Sequence, residues 1–184
     1  MKIKKTKING CYEILFRKNI DKRGFFLRSY CLNFLKLKKI NFSIKQTNIS
    51  YNKKKYTFRG FHYETKKFKE NKIISASNGK ALNITIDLRK NSKTYLKVQK
   101  KIIKSNTNSI LVPAGCANAF LTLENNTVIF YLMSDFFDES DVNRYYGFKF
   151  NDPFFKIKLP VKPLVISKKD LSFKPFNNKI NDNR

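Results

Sequence analysis

The sequence predicts an all-β protein, an antiparallel sandwich or barrel with few short helices. Apolar and polar residues alternate with a period of two over residues 82–88, which is typical of a β-strand. Short apolar segments recur along the chain between turn residues, as in all-β domains. Helical periodicity is weak by comparison, and no repeat with a period of about 20 to 50 residues is visible.

A short helix and a hairpin are predicted in the first half of the chain. Residues 31–39 carry leucines at spacings that favour a short helix. Further along, the Asn78-Gly79 pair is the strongest short signal for a hairpin turn. It is preceded and followed by strand-like segments, so we predict a hairpin over residues 72–88.

The second half of the chain predicts more strands. Residues 110–112 form a short β-branched and apolar segment, which should end at the following proline. Residues 120–123 and 128–133 flank a polar turn and predict a second hairpin. The polar tail, at about residues 174–184, should be loosely ordered.

Composition indicates a globular protein with a single domain, residues 1–184. Hydrophobic residues make up 41% and aromatic residues 15% of the 184 positions, which excludes a disordered chain. No apolar run approaches the roughly 18 residues of a membrane span, so we expect no membrane partner. The basic N-terminus is followed by no apolar segment, so we expect no signal peptide.

Cysteine usage indicates a reduced, cytoplasmic protein. The three cysteines, Cys11, Cys31 and Cys116, are odd in number and lack metal-ligand spacing. The single histidine cannot complete a zinc site with them. We therefore interpret the cysteines as small packed residues and expect no bound metal.

The net charge of +26 raises the question of nucleic-acid binding. The lysines are scattered along the whole chain, Asn and Ile are also abundant, and Lys far outnumbers Arg. This pattern favours a compositional bias over a nucleic-acid interface, which uses Arg forks. We expect no nucleic-acid partner, although the positive field would steer anionic substrates towards the protein.

Residues 59–63 (R-G-F-H-Y) contain the only histidine of the chain. Such a histidine is by default a polar residue with a structural partner, but its neighbours point to a site. Gly60 allows a close approach, and Arg59 is suited to bind a phosphate or carboxylate. Strict alternation would place Arg59 and His62 on opposite faces of a strand, so a shared site requires a bulge near Gly60.

Three further residues are compatible with a single type of chemistry, although each also has a structural interpretation. Lys72 is one of many lysines, Tyr131 lies in the middle of an apolar strand, and Asp170 is suited to a helix cap or a turn. Together with His62 they suit removal of a proton next to a carbonyl. The histidine would act as base, the aspartate would orient it, the lysine would stabilise the enolate, and the tyrosine would return a proton.

Seven motifs in order carry a resemblance to a known family. They are residues 21–26 (D-K-R-G-F-F), 46–50 (Q-T-N-I-S), 59–64 (R-G-F-H-Y-E), 87–95 (D-L-R-K-N-S-K-T-Y), 112–120 (V-P-A-G-C-A-N-A-F), 151–160 (N-D-P-F-F-K-I-K-L-P) and 167–170 (S-K-K-D). From about residue 14 to residue 173, the chain resembles the dTDP-4-dehydrorhamnose 3,5-epimerase family. The resemblance implies a cupin double-stranded β-helix, or jelly roll.

The resemblance also implies roles for residues. The catalytic positions of the family fall on His62 and its partner Asp170, on Lys72 and on the proton donor Tyr131. The positions that bind the nucleotide-sugar substrate fall on Arg23, Gln46, Asn48, Arg59, Asn118, Phe137 and Lys169. The family needs no metal or other cofactor, and its members are homodimers that exchange strands.

Departures from the family pattern concern the substrate contacts. Asn118 stands where the family has histidine, Arg28 where it has an acid, and Glu64 where it has glutamine. We therefore expect an isomerase that epimerises C3, C5 or both of a nucleotide-linked 4-keto-6-deoxy sugar, as in the synthesis of dTDP-rhamnose for surface polysaccharides. The alternatives are a related ketoisomerase or sugar-binding protein without that activity, or a basic nucleic-acid-binding module.

Overall fold

Two antiparallel sheets and a separate two-stranded hairpin contain the strands of the computed structural model, which describes residues 1–64, 70–137 and 144–177. In chain order the elements are β1 (Lys2–Lys5), β2 (Tyr12–Leu15), β3 (Lys18–Asp21), β4 (Gly24–Leu27), α1 (Leu32–Leu37), β5 (Gln46–Asn52), β6 (Phe58–Glu64), β7 (Lys72–Asn78), β8 (Lys80–Asp87), β9 (Val98–Lys104), β10 (Asn108–Val112), β11 (Cys116–Thr122), β12 (Thr127–Met133), β13 (Tyr145–Gly147) and α2 (Lys168–Ser172).

The strand order is that of a jelly roll. The first sheet has the order β1-β2-β10-β7-β12-β5, and the second has the order β13-β6-β11-β8-β9. Strands that follow one another in the chain, such as β7 and β8 or β11 and β12, alternate between the two sheets. The predicted all-β cupin fold is confirmed, and α1 confirms the short helix expected within residues 31–39.

The two predicted hairpins are wrong. β7 pairs with β10 and β12, whereas β8 pairs with β9 and β11, so the Asn78-Gly79 turn joins two different sheets. The turn between β11 and β12 also leads from one sheet to the other. Local turn chemistry specifies the reversal of the chain, but the pairing depends on strands that are distant in sequence.

The alternating segment of β8 buries both of its faces. Its apolar residues, including Ile84 and Ile86, pack outward with the aromatic residues of the C-terminal segment. Its polar residues Asn83, Thr85 and Asp87 point into the space between the sheets, and each is at most 1% exposed. The interior of the jelly roll is therefore partly polar, which is what a binding site requires.

Segments on the outside cover both sheets. Leu35 of α1 and Phe42 pack on the outer face of the first sheet. Residues 148–176 cover the second sheet, and Phe176 is buried there with its backbone N–H donating to Asp152 Oδ2 at 2.6 Å. Within the tail that we expected to be loose, Phe176 is buried, whereas Lys174, Pro175 and Asn177 are exposed. Residues 178–184 lie outside the described residues. No helix in the described ranges is long and apolar enough to cross a membrane.

The motif at residues 87–95 has a structural role in this fold. The buried Asp87 carboxylate accepts hydrogen bonds from Arg89 Nε at 2.8 Å and from the hydroxyls of Ser92 and Thr94 at 2.6 Å each. Arg89 also donates to the backbone oxygen of Asn9 at 2.6 Å. These bonds tie the end of β8 to the next loop and to the N-terminal turn.

The free energy of unfolding should depend on this carboxylate in a defined pH range. Burial alone would raise the pKa of Asp87, but its hydrogen bonds from Arg89, Ser92 and Thr94 outweigh burial and lower the pKa to about 2. The ionised Asp87 carboxylate stabilises the fold above pH ~4, and this stabilisation is lost as the pH falls through ~2. We expect Asp87→Asn to cost about 2 kcal/mol at pH 7, with the difference from wild type closing between pH ~4 and ~2.

Denaturant unfolding across this pH range measures the effect. The matched control is Asp21→Asn, because Asp21 forms an exposed ion pair with Arg23 and such pairs contribute little. A constant difference between wild type and Asp87→Asn from pH 7 to pH 2 would contradict this account.

Candidate active site

A bulge in β6 brings Arg59 and His62 to the same face of the strand. Arg59 lies opposite Phe120 and His62 lies opposite Asn118, so two residues of β6 face a single residue of β11. The extra residue reverses the alternation, as the sequence required for a shared site. Both side chains therefore face the space between the sheets, which we call the cleft.

Gly60 is required at this bulge for two reasons. Its φ of +122° lies in a region that side-chain-bearing residues rarely adopt. A Cβ at this position would also lie 2.6 Å from Ala119 Cβ and 2.8 Å from Asn118 O. Only glycine allows β6 and β11 to approach this closely, so the R-G-x-H pattern has a structural explanation.

His62 is held by a carboxylate from the other end of the chain. Its Nε2 lies 2.8 Å from Oδ1 of the buried Asp170, whose Oδ2 accepts the backbone N–H of Gly60 at 3.2 Å. Asp170 lies in the first turn of α2, where its own N–H donates to Ser167 Oγ at 3.0 Å, as in an N-capped helix. The ring of Phe173 packs edge-on against the imidazole.

The electrostatics of this pair fix the tautomer of His62. Burial would raise the pKa of Asp170, but the hydrogen bonds from His62 and Gly60 hold the pKa below its ordinary value. The carboxylate is therefore ionised at neutral pH and accepts the proton of His62 Nε2. The lone pair then resides on Nδ1, and the side chain is 44% exposed to the cleft, as a general base requires.

Tyr131 lies on the inner face of β12, in the opposite sheet. It pairs with Asn48 and Ile74, and its ring packs near Phe120. Burial raises the pKa of its phenol well above the ordinary value, and the charge of Arg59 offsets this only in part. The hydroxyl therefore stays protonated at neutral pH, which suits a proton donor and not a base.

Lys72 lies at the start of β7, next to Met133 of β12. Its ammonium group lies 2.7 Å from Oε1 of Glu70, and its side chain is 21% exposed. Because Met133 pairs in turn with Gln46 of β5, Lys72 belongs to the same row of inward-facing residues as Gln46.

The predicted substrate contacts of β5 lie together at the edge of the cleft. Gln46 Nε2 donates to Asn48 Oδ1 at 3.0 Å, and Gln46 Oε1 accepts the backbone N–H of Phe137 at 2.9 Å. The half-exposed ring of Phe137 lies 4.5 Å from that of Tyr145. An aromatic surface thus adjoins amide groups, which is an arrangement suited to a nucleobase.

Arg59 and Asn118 complete the part of the cleft around His62. Arg59 Nε donates to Asn52 Oδ1 at 2.9 Å and so connects β6 to β5 of the other sheet. Asn118 Nδ2 donates to the backbone oxygen of Ile84 at 3.1 Å and to Thr85 Oγ1 at 3.4 Å. With the amide donors of Asn118 engaged, its Oδ1 is the part of the side chain left as an acceptor, on the strand next to His62.

Two predicted contacts are not brought to this cleft within the chain. Arg23 lies in the turn of the β3–β4 hairpin, where its side chain is 85% exposed and pairs with Asp21. That hairpin pairs with neither main sheet, and the described hydrogen bonds of the Arg23 side chain go to Asp21 and not to a residue of the cleft. Lys169 is exposed on α2, next to Asp170 but on the solvent side.

A chain of charges at one end of the cleft was missed by the sequence reasoning. Arg144 binds Oε1 of the buried Glu64 at 2.8 Å and also contacts Asp135. Asp135 in turn binds Lys45 Nζ at 2.9 Å. Glu64 was visible only as a departure from the family pattern, and no local signal in the sequence pairs it with Arg144.

The arrangement is suited to proton transfer at carbon. His62 in the second sheet and the phenol of Tyr131 in the first lie on the inner faces of their strands, and Lys72 and Arg59 supply positive charge suited to an enolate and a phosphate. Among the residues that the structure describes, no group of three or more His, Cys, Asp or Glu side chains is arranged to hold a metal ion.

Comparison with known proteins gives a consistent result. Residues 5–178 match the family model of dTDP-4-dehydrorhamnose 3,5-epimerase. A curated relative of that name from Sinorhizobium fredii is 31% identical over 85% of this chain and 80% of its own length. Another, from Methanothermobacter thermautotrophicus, is 26% identical over 94% of this chain and 92% of its own length.

Two solved structures extend the similarity to three dimensions. A dTDP-4-dehydrorhamnose 3,5-epimerase from Bacillus anthracis, with TDP and pyrophosphate bound, has a TM-score of 0.89 at 28% identity and covers 95% of this chain and 99% of its own. An epimerase from Legionella pneumophila, in complex with dTDP-4-keto-L-rhamnose, has a TM-score of 0.85 at 25% identity, with coverages of 95% and 92%.

Proposed function

Since the chain belongs to the dTDP-4-dehydrorhamnose 3,5-epimerase family, we propose that it epimerises C3 and C5 of dTDP-4-keto-6-deoxyglucose. Both carbons adjoin the C4 carbonyl, so removal of either proton gives an enolate. The observation that carries the proposal is the His62–Asp170 pair, supported by the buried phenol of Tyr131 on the other sheet, which is near the charge of Arg59. The Legionella relative binds dTDP-4-keto-L-rhamnose, which is the product of this reaction.

The proposed mechanism uses the described side chains in sequence. His62 Nδ1 removes the proton next to the carbonyl, and Asp170 stabilises the imidazolium that forms. The ammonium group of Lys72 lies near the enolate oxygen and stabilises its charge. Tyr131 donates a proton to the opposite face of the same carbon, which inverts its configuration.

Binding would use the other residues of the cleft. Arg59 binds the diphosphate through its planar guanidinium, whereas the exposed Lys169 adds to the positive field outside the cleft without contacting the substrate. Phe137 stacks on the nucleobase of the substrate, and Gln46 and Asn48 bind the nucleoside by hydrogen bonds. The net charge of +26 steers the dianionic substrate to the cleft.

Incubation with dTDP-4-keto-6-deoxyglucose tests the proposal. We expect the sugar-ring couplings in the NMR spectrum to change to those of the C3,C5-inverted product. Inversion at C3 alone would restrict the proposal to a single carbon. Tight binding of the nucleotide sugar with no inversion would contradict it and favour a sugar-binding relative.

Asn118 contributes to substrate binding in this proposal. Its Oδ1 accepts a hydrogen bond from a sugar hydroxyl, a type of bond worth about 1 kcal/mol. We expect Asn118→Ala to raise KM about five- to tenfold and to change kcat less. Steady-state kinetics measure both constants, and an unchanged KM would contradict the assignment.

The chain also acts as a cytoplasmic homodimer of one-domain subunits in this proposal. Support comes from the β3–β4 hairpin, on which Ile20 is 78% and Phe26 66% exposed. Such residues are normally covered, and a partner subunit would cover them and receive Arg23 at its own cleft. Sedimentation equilibrium should give twice the chain mass, and a monomer at micromolar concentration would contradict this assignment.

A further inference from the structure

Glu70 is a buried acid that contacts a residue of the proposed mechanism without belonging to it. Its side chain is only 2% exposed, and Oε1 lies 2.7 Å from the ammonium group of Lys72. The other oxygen, Oε2, is buried and accepts no hydrogen bond from the described parts of the chain. Leaving such an oxygen unpaired costs about 1–3 kcal/mol, so stability alone does not explain this carboxylate.

Glu70 is also connected to β6, the strand that carries His62. Its backbone N–H donates to Glu64 Oε2 at 3.0 Å, and Glu64 lies two residues beyond His62 in β6. The other oxygen of Glu64 is bound by Arg144 Nε at 2.8 Å, which fixes the Glu64 carboxylate. A chain of short contacts therefore runs from the His62 strand, through Glu64 and Glu70, to the ammonium group of Lys72.

This connection matters because His62 and Lys72 lie on different sheets. His62 belongs to β6 in the second sheet, and Lys72 to β7 in the first. A lysine side chain has four rotatable bonds and much conformational freedom, so its backbone position alone does not fix its ammonium group. The buried Glu70 carboxylate, which is held by the strand that carries His62, fixes the ammonium group of Lys72 in place.

We infer that Glu70 is a positioning residue that holds the Lys72 ammonium group at a fixed place relative to His62, where it meets the enolate. The inference rests on the proposed function, in which Lys72 stabilises that enolate. Glu70 touches Lys72 but not the reacting atoms. Its loss should lower kcat and leave KM largely unchanged, because the interaction it supports strengthens in the transition state.

Double-mutant kinetics test the inference. We expect Glu70→Ala to lower kcat about 10²-fold, as for a misplacement of about 1 Å, and Glu70→Gln to lower it less, because the amide oxygen can still accept from Lys72. In a Lys72→Met background, Glu70→Ala should cause no further loss, because the residue through which Glu70 acts is gone. Glu13→Ala is the matched control: it breaks a similar pair, Glu13–Lys101 at 3.1 Å, away from these residues, and should leave kcat unchanged.

A second readout needs no substrate. The rate at which an amine-specific reagent labels Lys72, followed by mass spectrometry, should rise several-fold in Glu70→Ala, with Lys101 as the internal reference. If the wild-type protein epimerised no 4-keto sugar, the proposed function would be wrong. The labelling rate would still decide whether Glu70 holds Lys72. The inference is overturned if labelling of Lys72 is unchanged, or if Glu70→Ala lowers kcat equally with and without Lys72.

Discussion

Replacing His62 with alanine should lower the rate of epimerisation by a factor of about 10²–10⁴, the contribution of a positioned general base. The reason is specific to this site. Asp170 accepts from Nε2, which leaves Nδ1 as the basic nitrogen, and His62 is the only histidine of the chain. Neither Asn118, which lies opposite His62 on β11, nor Thr85 on the next strand can take over as a base at neutral pH.

Two controls separate loss of the base from loss of the fold. His62→Ala should bind dTDP as well as the wild type does, because the predicted nucleotide contacts lie on β5 and at Arg59. Added imidazole should restore part of the activity by occupying the space left by the ring. Full activity of His62→Ala would show that the base is another residue.

Replacing Tyr131 with phenylalanine should separate the two proton transfers. Product formation should fall by a factor of about 10²–10⁴, because the phenol is the group assigned to protonate the face opposite His62. Proton removal by His62 should continue, so deuterium from heavy water should still enter the substrate with retention of configuration. Burial raises the pKa of the Tyr131 phenol, so its hydroxyl is protonated at neutral pH. Phenylalanine has no hydroxyl and cannot donate a proton.

A hydroxyl on the opposite face of the same sheet gives the matched control. Tyr51 lies on the outer side of β5, where its hydroxyl donates to Asn126 Oδ1 at 2.7 Å. Tyr51→Phe removes the same atom and should leave product formation unchanged. If Tyr131→Phe forms the inverted product at the wild-type rate, the proton donor has been assigned to the wrong residue.

The sequence was sufficient to predict the fold class and the irregularity in the strand that carries His62. Period-two alternation predicted strands, and the spacing of Arg59 and His62 required a bulge that the structure contains at Gly60. In both cases the deciding information is local. A single glycine and the alternation of one strand specify which side chains share a face.

The wrong hairpins show where local information ends. The Asn78-Gly79 turn reverses the chain, yet β7 and β8 then enter different sheets. A turn that joins two sheets has the same residues as one that joins two paired strands. The choice depends on β10 and β12, which lie about 30 and 50 residues further along the chain and are the pairing partners of β7.

The contacts of charged side chains were equally hidden from the sequence. The hydrogen bond between His62 and Asp170 spans 108 positions, and the pair of Glu64 and Arg144 spans 80. The family resemblance supplied the first pair, because both motifs belong to the family pattern. It could not supply the second, because Glu64 departs from that pattern.

In the proposed reaction this cleft removes protons from both carbons next to a C4 carbonyl. Incubation of the wild-type protein with dTDP-4-keto-6-deoxyglucose in heavy water, followed by NMR and mass spectrometry, measures this proton removal directly. We predict one deuterium at C3 and one at C5, at rates that His62→Ala lowers together. Absence of deuterium at both positions, with every nucleotide form of the sugar that the protein binds, would contradict it.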